Sequence, residues 1–244
     1  MSAEIKRLPQ FASPSIDQVF EDFLSDQRQC LKAMTFSKYE SVVELLRHHL
    51  NGYAYEGLSK AETALFEKYY NAGGEEHREF CELFRPEKIL ENIGMFLSYF
   101  MIRKVMAGQD LMRVAGTVAR KLAKWLAEKG YVSEEEAQSG ADIGGQAARD
   151  LPKAERAAQI LYEAARNLPV GVSELEEEDR LAFDHYTVVK IEPGKVWVEA
   201  SAGGYAKTLG PIAVPKLRPG TDPRRVAHHR GGEHVSVVRP GGPR

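Results

Sequence analysis

The chain has 244 residues, 43% of them apolar and 28% charged, with only two cysteines. This is ordinary globular usage, and it excludes a disordered or fibrous chain and a disulfide-stapled scaffold. The net charge of −2 conceals a split: residues 1–180 hold 23 Lys+Arg against 30 Asp+Glu, whereas residues 181–244 hold 10 against 5. The N-terminus is charged and has no apolar run. The most apolar stretch, residues 93–102, is about half of what a bilayer span needs. A cytoplasmic protein without membrane contact is the expectation.

Helical periodicity governs the first 168 residues. Ile16, Val19, Phe20, Phe23 and Leu24 recur at helical spacing behind Ser15, a good N-cap residue. A second helix is predicted over residues 37–50, with Tyr39, Val42, Val43, Leu46 and Leu50 on one face and Gly52 as its stop. His48 and His49 then fall in its last turn, where a cation suits the helix dipole. Ser59-Lys60-Ala61-Glu62 is a capping box that opens a short helix carrying Leu65, Phe66, Tyr69 and Tyr70, with Gly73-Gly74 behind it. Residues 75–84 allow one more helical turn. Cys81, among Phe80, Leu83 and Phe84, reads as core and not as a nucleophile. Pro86 suits the first position of a helix with Ile89, Ile93, Phe96, Leu97, Phe100 and Met101, ending at Gly108. Asp110 caps a long helix through Val114, Val118, Leu122, Trp125 and Leu126, which Gly130 closes.

Residues 131–149 hold Ser, Gly, Glu and Gln without strong periodicity, which predicts a mobile connection with about one helical turn after Ser133. A further helix is expected over residues 152–167, with Ala154, Ala158, Leu161 and Ala165 as a small-residue stripe. The acidic run 174–179 reads as a linker. After residue 183 the period changes to two. Residues 186–191 and 196–200 are β-branched and aromatic and flank Pro193-Gly194, a hairpin signal. Residues 209–214 contain Pro211 and predict an edge strand, and residues 234–238 close the set. The expected fold class is α+β: an all-α helical bundle (1–168, with a core at 15–132 and a linker plus extra helix at 133–168), an acidic linker (169–183) and a small β-barrel-like module with a basic tail (184–244).

The motifs mostly exclude functions. No Gly-x-x-x-x-Gly-Lys-Ser/Thr, Gly-x-Gly-x-x-Gly, Gly-x-Ser-x-Gly or Cys-x-x-Cys occurs, so neither an enzyme nor a cofactor is expected. His228, His229, Glu233 and His234 cluster, but around Gly231-Gly232 and without helical ligand spacing, so no metal is expected either. Trp197 and Tyr205 could form a base-stacking platform or simply the core of a small barrel. The most suggestive element is the helix that begins at Asp110. Opposite its apolar stripe (Leu111, Val114, Val118, Leu122, Trp125) lie Arg113, Thr117, Arg120, Lys121 and Lys124, five donors suited to phosphate oxygens. Arg224, Arg225 and Arg230 add basic candidates near the C-terminus. Two function classes follow. The first is a non-enzymatic DNA-binding or regulatory protein that contacts the nucleic-acid backbone. The alternative is an interaction or structural protein whose acidic bundle pairs with another protein or with itself.

Two stretches resemble the N-terminal core-binding (SAM-like) domain of tyrosine recombinases and phage integrases. One is Val19-Phe-Glu-Asp-Phe-Leu24 followed by Thr35-Phe-Ser-Lys-Tyr39, where a Thr begins the second helix. The other is residues 89–100 followed by Val118-Ala-Arg-Lys-Leu-Ala-Lys-Trp-Leu-Ala-Glu-Lys-Gly130. The resemblance covers about residues 15–132. It implies DNA-backbone contact by the second helix at Lys38, Ser41 and Arg47, and by the last at Arg113, Arg120, Lys121 and Lys124. The chain departs from the family in two ways. Residues 53–85 are an insertion, and no His is followed three residues later by Arg, so the family's strand-cleaving chemistry is not expected.

Overall fold

The computed structural model describes residues 14–166 and, beyond them, the backbone of three strands. The regular structure of residues 14–160 is all helical, with no strand among them. Helix α1 spans Ile16–Cys30, α2 Ala33–Tyr53, α3 Lys60–Tyr70, α4 Phe80–Leu83, α5 Glu87–Met95, α6 Met101–Arg103, α7 Gln109–Glu128 and α8 Glu134–Arg166. Short 3-10 turns lie at Ala54–Gly57 and Gly74–Glu76, and a π-helical turn spans Phe96–Phe100. Contacts group the chain into two compact units. One is Met1–Phe100 with Arg113–Ala148, the other Met101–Met112 with Arg149–Arg244.

The first unit forms around large apolar side chains placed at helical spacing. Ser15 caps α1 reciprocally with Gln18, and the Ile16 amide donates to the Phe84 carbonyl at 3.1 Å, so the start of α1 is held against the end of α4. Ile16, Val19, Phe20 and Phe23 are fully buried, together with Val42, Val43, Leu46 and Leu50 of α2, Phe80 of α4, and Ile89, Ile93 and Phe96. The Cys81 amide donates to Asn51 Oδ1 at 2.9 Å and joins α4 to α2. The Cys81 side chain is core, as expected, and burial pushes its thiol pKa well up. The Ser59–Glu62 capping box forms as predicted, and its hydrogen bonds with Ser59 lower the Glu62 pKa to about 2.

Several expectations are corrected. Helix α2 begins at Ala33 behind Lys32, and Thr35 sits inside its first turn, donating its amide to the Lys32 carbonyl. Gly52 does not stop α2, which continues to Tyr53. His49 is therefore not a terminal cation. It is 2% exposed, packed among the rings of Tyr53, Phe96 and Phe100 at centroid distances of 5.2–5.8 Å. Neither ring nitrogen has a hydrogen-bond partner, and burial lowers its pKa to about 4 although the Asn92 backbone acts in the opposite direction.

The largest correction concerns residues 133–168, expected as a linker plus an extra helix. Residues 134–166 form one continuous helix, α8, opened by Ser133, which exchanges capping bonds with Glu136. Pro152 lies inside it instead of opening a new one. The boundary between the two units falls at Ala148–Arg149, one turn before this proline, whose missing N–H interrupts the helical ladder.

In the second unit, β1 (Tyr186–Glu192), β2 (Lys195–Ala200) and β3 (Thr208–Ala213) form an antiparallel sheet in that order. Pro211 lies in β3, an edge strand of this sheet, where a residue without a donor is tolerated. Closure into a barrel, the strand at 234–238, the linker 169–183 and the cluster His228–His234 lie outside the described residues.

Candidate nucleic-acid interface

Helix α7 builds the candidate surface. Met112, Ala115, Val118, Ala119, Leu122, Ala123, Trp125 and Leu126 are buried, an apolar face broader than the predicted stripe. Leu111 and Val114, expected in that stripe, are only half-buried. At 100° per residue the buried positions cover about half of the helix circumference. Large side chains and alanines alternate across this face, with Ala115 between Leu122 and Leu126 and Met112 between Ala119 and Ala123. Arg113, Thr117, Arg120, Lys121 and Lys124 occupy the remaining face within about 100° of arc, over about 16 Å of helix length. All five are exposed.

Two anchors fix this helix. At its C-terminal end the Trp125 indole N–H donates to Asp26 Oδ2 at 2.9 Å, and Lys129 Nζ reaches the same oxygen at 3.0 Å. These bonds, the indole first, hold the Asp26 carboxyl below its ordinary range. Trp125 also meets Phe23 edge-on at 5.5 Å. Gly130 follows at φ +76°, with its amide on the Ala127 carbonyl and the Tyr131 amide on the Leu126 carbonyl, a Schellman ending. Lys129 is thus engaged with α1 and is not part of the basic face.

The second anchor is the crossing with α8. A Cβ placed on Gly116 would lie 2.2 Å from the Ala148 amide nitrogen, and one on Gly144 would lie 2.5 Å from the Arg120 amide nitrogen. The two backbones touch. Gly140 continues this seam, with room only up to Leu90 and Ala123. Close approach of helix backbones requires residues without side chains, and these glycines supply it. The crossing borders the basic face directly, since Gly144 packs on the backbone of Arg120 while the Arg120 side chain stays exposed.

The predicted site residues divide sharply. The side chains of Arg113, Arg120, Lys121 and Lys124 form no ion pair or hydrogen bond among the described residues. Thr117 donates its hydroxyl to the Arg113 carbonyl at 3.0 Å and so remains an acceptor only. On α2 the situation differs. Arg47 is held by Asp17 at 2.8 Å and Glu44 at 2.6 Å, over the ring of Phe20. Its hydrogen bonds and charge pairing with those acids outweigh desolvation and raise its pKa. Ser41 donates to the Ser37 carbonyl at 3.0 Å, and Lys38 is half-buried. Of the two helices implicated by the resemblance, only α7 presents unengaged cations. Arg224, Arg225 and Arg230 lie outside the described residues.

Sequence reasoning missed the Gly116–Gly144 crossing, the buried His49 and an exposed aromatic surface around Phe66. The first had a readable signal: Ala137, Gly140, Ala141, Gly144 and Ala148 recur at intervals of three and four. Among the described residues no helix is long and apolar enough to cross a membrane. No family model, curated protein or solved structure matches the chain.

Proposed function

We propose that this protein is a non-enzymatic DNA-binding protein that grips the duplex backbone through the exposed face of α7, as the core-binding resemblance implies. The observation that carries this reading is the set of four exposed, unengaged cations on one face, with no acid among them until Glu128. Cations already neutralised by internal carboxylates, such as Arg47 and Lys129, gain little by meeting a phosphate. Those on α7 release counterions when they do. The face has no aromatic side chain, so it offers no stacking platform for single-stranded bases and suits a duplex. Arginine and lysine on a straight helix face contact phosphates without a geometry for reading base edges, so binding is insensitive to sequence.

The test is a salt titration of binding to random duplex DNA. Four phosphate contacts give a slope of log K against log salt of about −3.6. Arg120→Ala with Lys124→Ala flattens it by about 1.8 and weakens all sequences alike. Arg47→Ala leaves the slope unchanged because that guanidinium is already paired. A chain truncated after Asn167 separates α7 from the basic C-terminal residues. If the truncated chain shows no salt-dependent binding, the reading fails.

A further inference from the structure

Outside α7, the largest unassigned feature of the first unit is an exposed aromatic surface. Tyr55 and Tyr70 are each 45% exposed and Leu65 is 39% exposed. The two tyrosines flank Phe66. Tyr55 stacks on it at 5.9 Å and 3° between planes, and Tyr70 at 4.9 Å and 26°. His77 closes one end, with its ring 5.5 Å from Tyr70 and Nδ1 2.8 Å from the Tyr70 carbonyl. The rings are thus held in place by stacking and by the turn behind them. Neither tyrosine hydroxyl has a hydrogen-bond partner among the described residues. A fixed, solvent-facing aromatic surface is an unusual feature on a helical bundle whose other aromatics are mostly buried.

Acidic groups predominate around it. Glu56 follows Tyr55 directly, Glu67 lies one helical turn before Tyr70, and Glu75 and Glu76 precede His77. All four are exposed. The nearby basic groups are engaged: Lys68 lies over the Tyr69 ring at 4.8 Å, and Arg78 donates to the Glu75 and His77 carbonyls. Ring faces and carboxylates together attract one chemistry, a guanidinium or ammonium that stacks on tyrosine while pairing with glutamate. A phosphate-bearing ligand is repelled by the same carboxylates.

We infer that the Tyr55–Phe66–Tyr70 surface is a docking site for an arginine- or lysine-bearing segment of a partner protein. It is distinct from the basic face of α7 and does not depend on the DNA-binding reading. Cation–π contacts at exposed tyrosines are worth a few-fold in affinity each, so the two rings together account for about tenfold.

The experiment titrates the full-length protein into a fluorescent hexa-arginine peptide at low salt, with hexaglutamate as the control. Hexa-arginine binds and hexaglutamate does not. Tyr55→Ala with Tyr70→Ala weakens binding about tenfold, whereas Tyr70→Phe, which keeps the ring, binds like the parent. Glu67→Gln with Glu75→Gln changes only exposed side chains and leaves folding intact. It weakens binding and lowers its salt dependence. Equal binding by all variants means diffuse attraction to an acidic protein, and absence of binding means no site; either overturns the proposal. So does a dimer, seen by sedimentation, that dissociates on Tyr55→Ala with Tyr70→Ala, since the occupant is then a second copy of this chain.

Discussion

The two halves of the first unit are packed in opposite ways. Helices α1, α2, α4 and α5 meet through large side chains: Phe20, Phe23, Leu46, Phe80 and Ile93 are all fully buried. Helices α7 and α8 meet through the absence of side chains at Gly116 and Gly144. A core of large side chains resists loss of volume, because each deletion leaves a cavity. A backbone-to-backbone crossing resists gain of volume, because the neighbouring atoms belong to a helix that moves only as a whole. The same unit therefore answers opposite questions at its two ends, and substitutions can tell them apart.

The largest effect is expected at the crossing. In Gly116→Ala the new methyl meets the Ala148 amide nitrogen at 2.2 Å and the Gly144 carbonyl oxygen at 2.6 Å, and no flexible side chain is there to give way. Overpacking of this kind costs about 3 kcal/mol. Urea denaturation measures it as a lowered midpoint with an unchanged m-value. A loss below about 0.5 kcal/mol would mean that the helices separate freely and that the crossing is not a fixed part of the unit.

This contrast also explains what the sequence reveals and what it conceals. Periodicity of large apolar residues signals burial, so α1, α3, α5 and α7 are readable to within a few residues, as are the N-cap at Ser15 and the capping box at Ser59. The seam of α8 carries the same periodicity in glycine and alanine. Glycine ordinarily weakens a helix, so residues 131–149 read as a loop although the spacing was present. The basic face of α7 is legible because charge opposite a stripe needs only the helix to exist. The engagement of Arg47 is not, since Asp17 lies 30 residues away and reaches it only through packing of α1 on α2. His49 follows the same logic. Its neighbours Phe96 and Phe100 belong to the π-turn, and their approach to α2 is a tertiary fact.

His49 gives the next largest effect and probes the densely packed half. Its folded pKa of about 4 lies below the ordinary 6.5 because burial disfavours the charged ring. The unfolded chain therefore takes up the proton first as pH falls. The stability contributed by the neutral ring is fully present above about pH 6.5 and is lost progressively between pH 6.5 and pH 4. By pH 4.5 the loss is about 2.5 kcal/mol. Carboxylates also change stability in acid, so the measurement is a difference: parent against His49→Phe, by urea denaturation at pH 7.5 and pH 4.5. The parent loses more than the variant by that amount. Parallel losses in both would mean that His49 is protonated in the folded state and has found a partner.

The smallest effect sharpens the comparison from the other side, because glycine in this unit is required at some places and merely present at others. Gly52 lies in the last turn of α2, is exposed, and a Cβ added there meets nothing within 4 Å. Its φ is not in the left-handed region, so alanine fits without strain. Gly52→Ala restricts the unfolded chain and favours the helix, which raises stability by about 0.5 kcal/mol. The sign is opposite to that of Gly116→Ala, for the same change of residue in the same unit. The two variants measured side by side in urea isolate the crossing, since backbone entropy acts alike in both and only the approach of α8 differs. If Gly52→Ala destabilises the protein, then α2 ends before Gly52 and the helix stop read from the sequence is correct. Tyr53 would then no longer be carried by α2 to the ring of His49, and the aromatic enclosure around that imidazole would be open on one side.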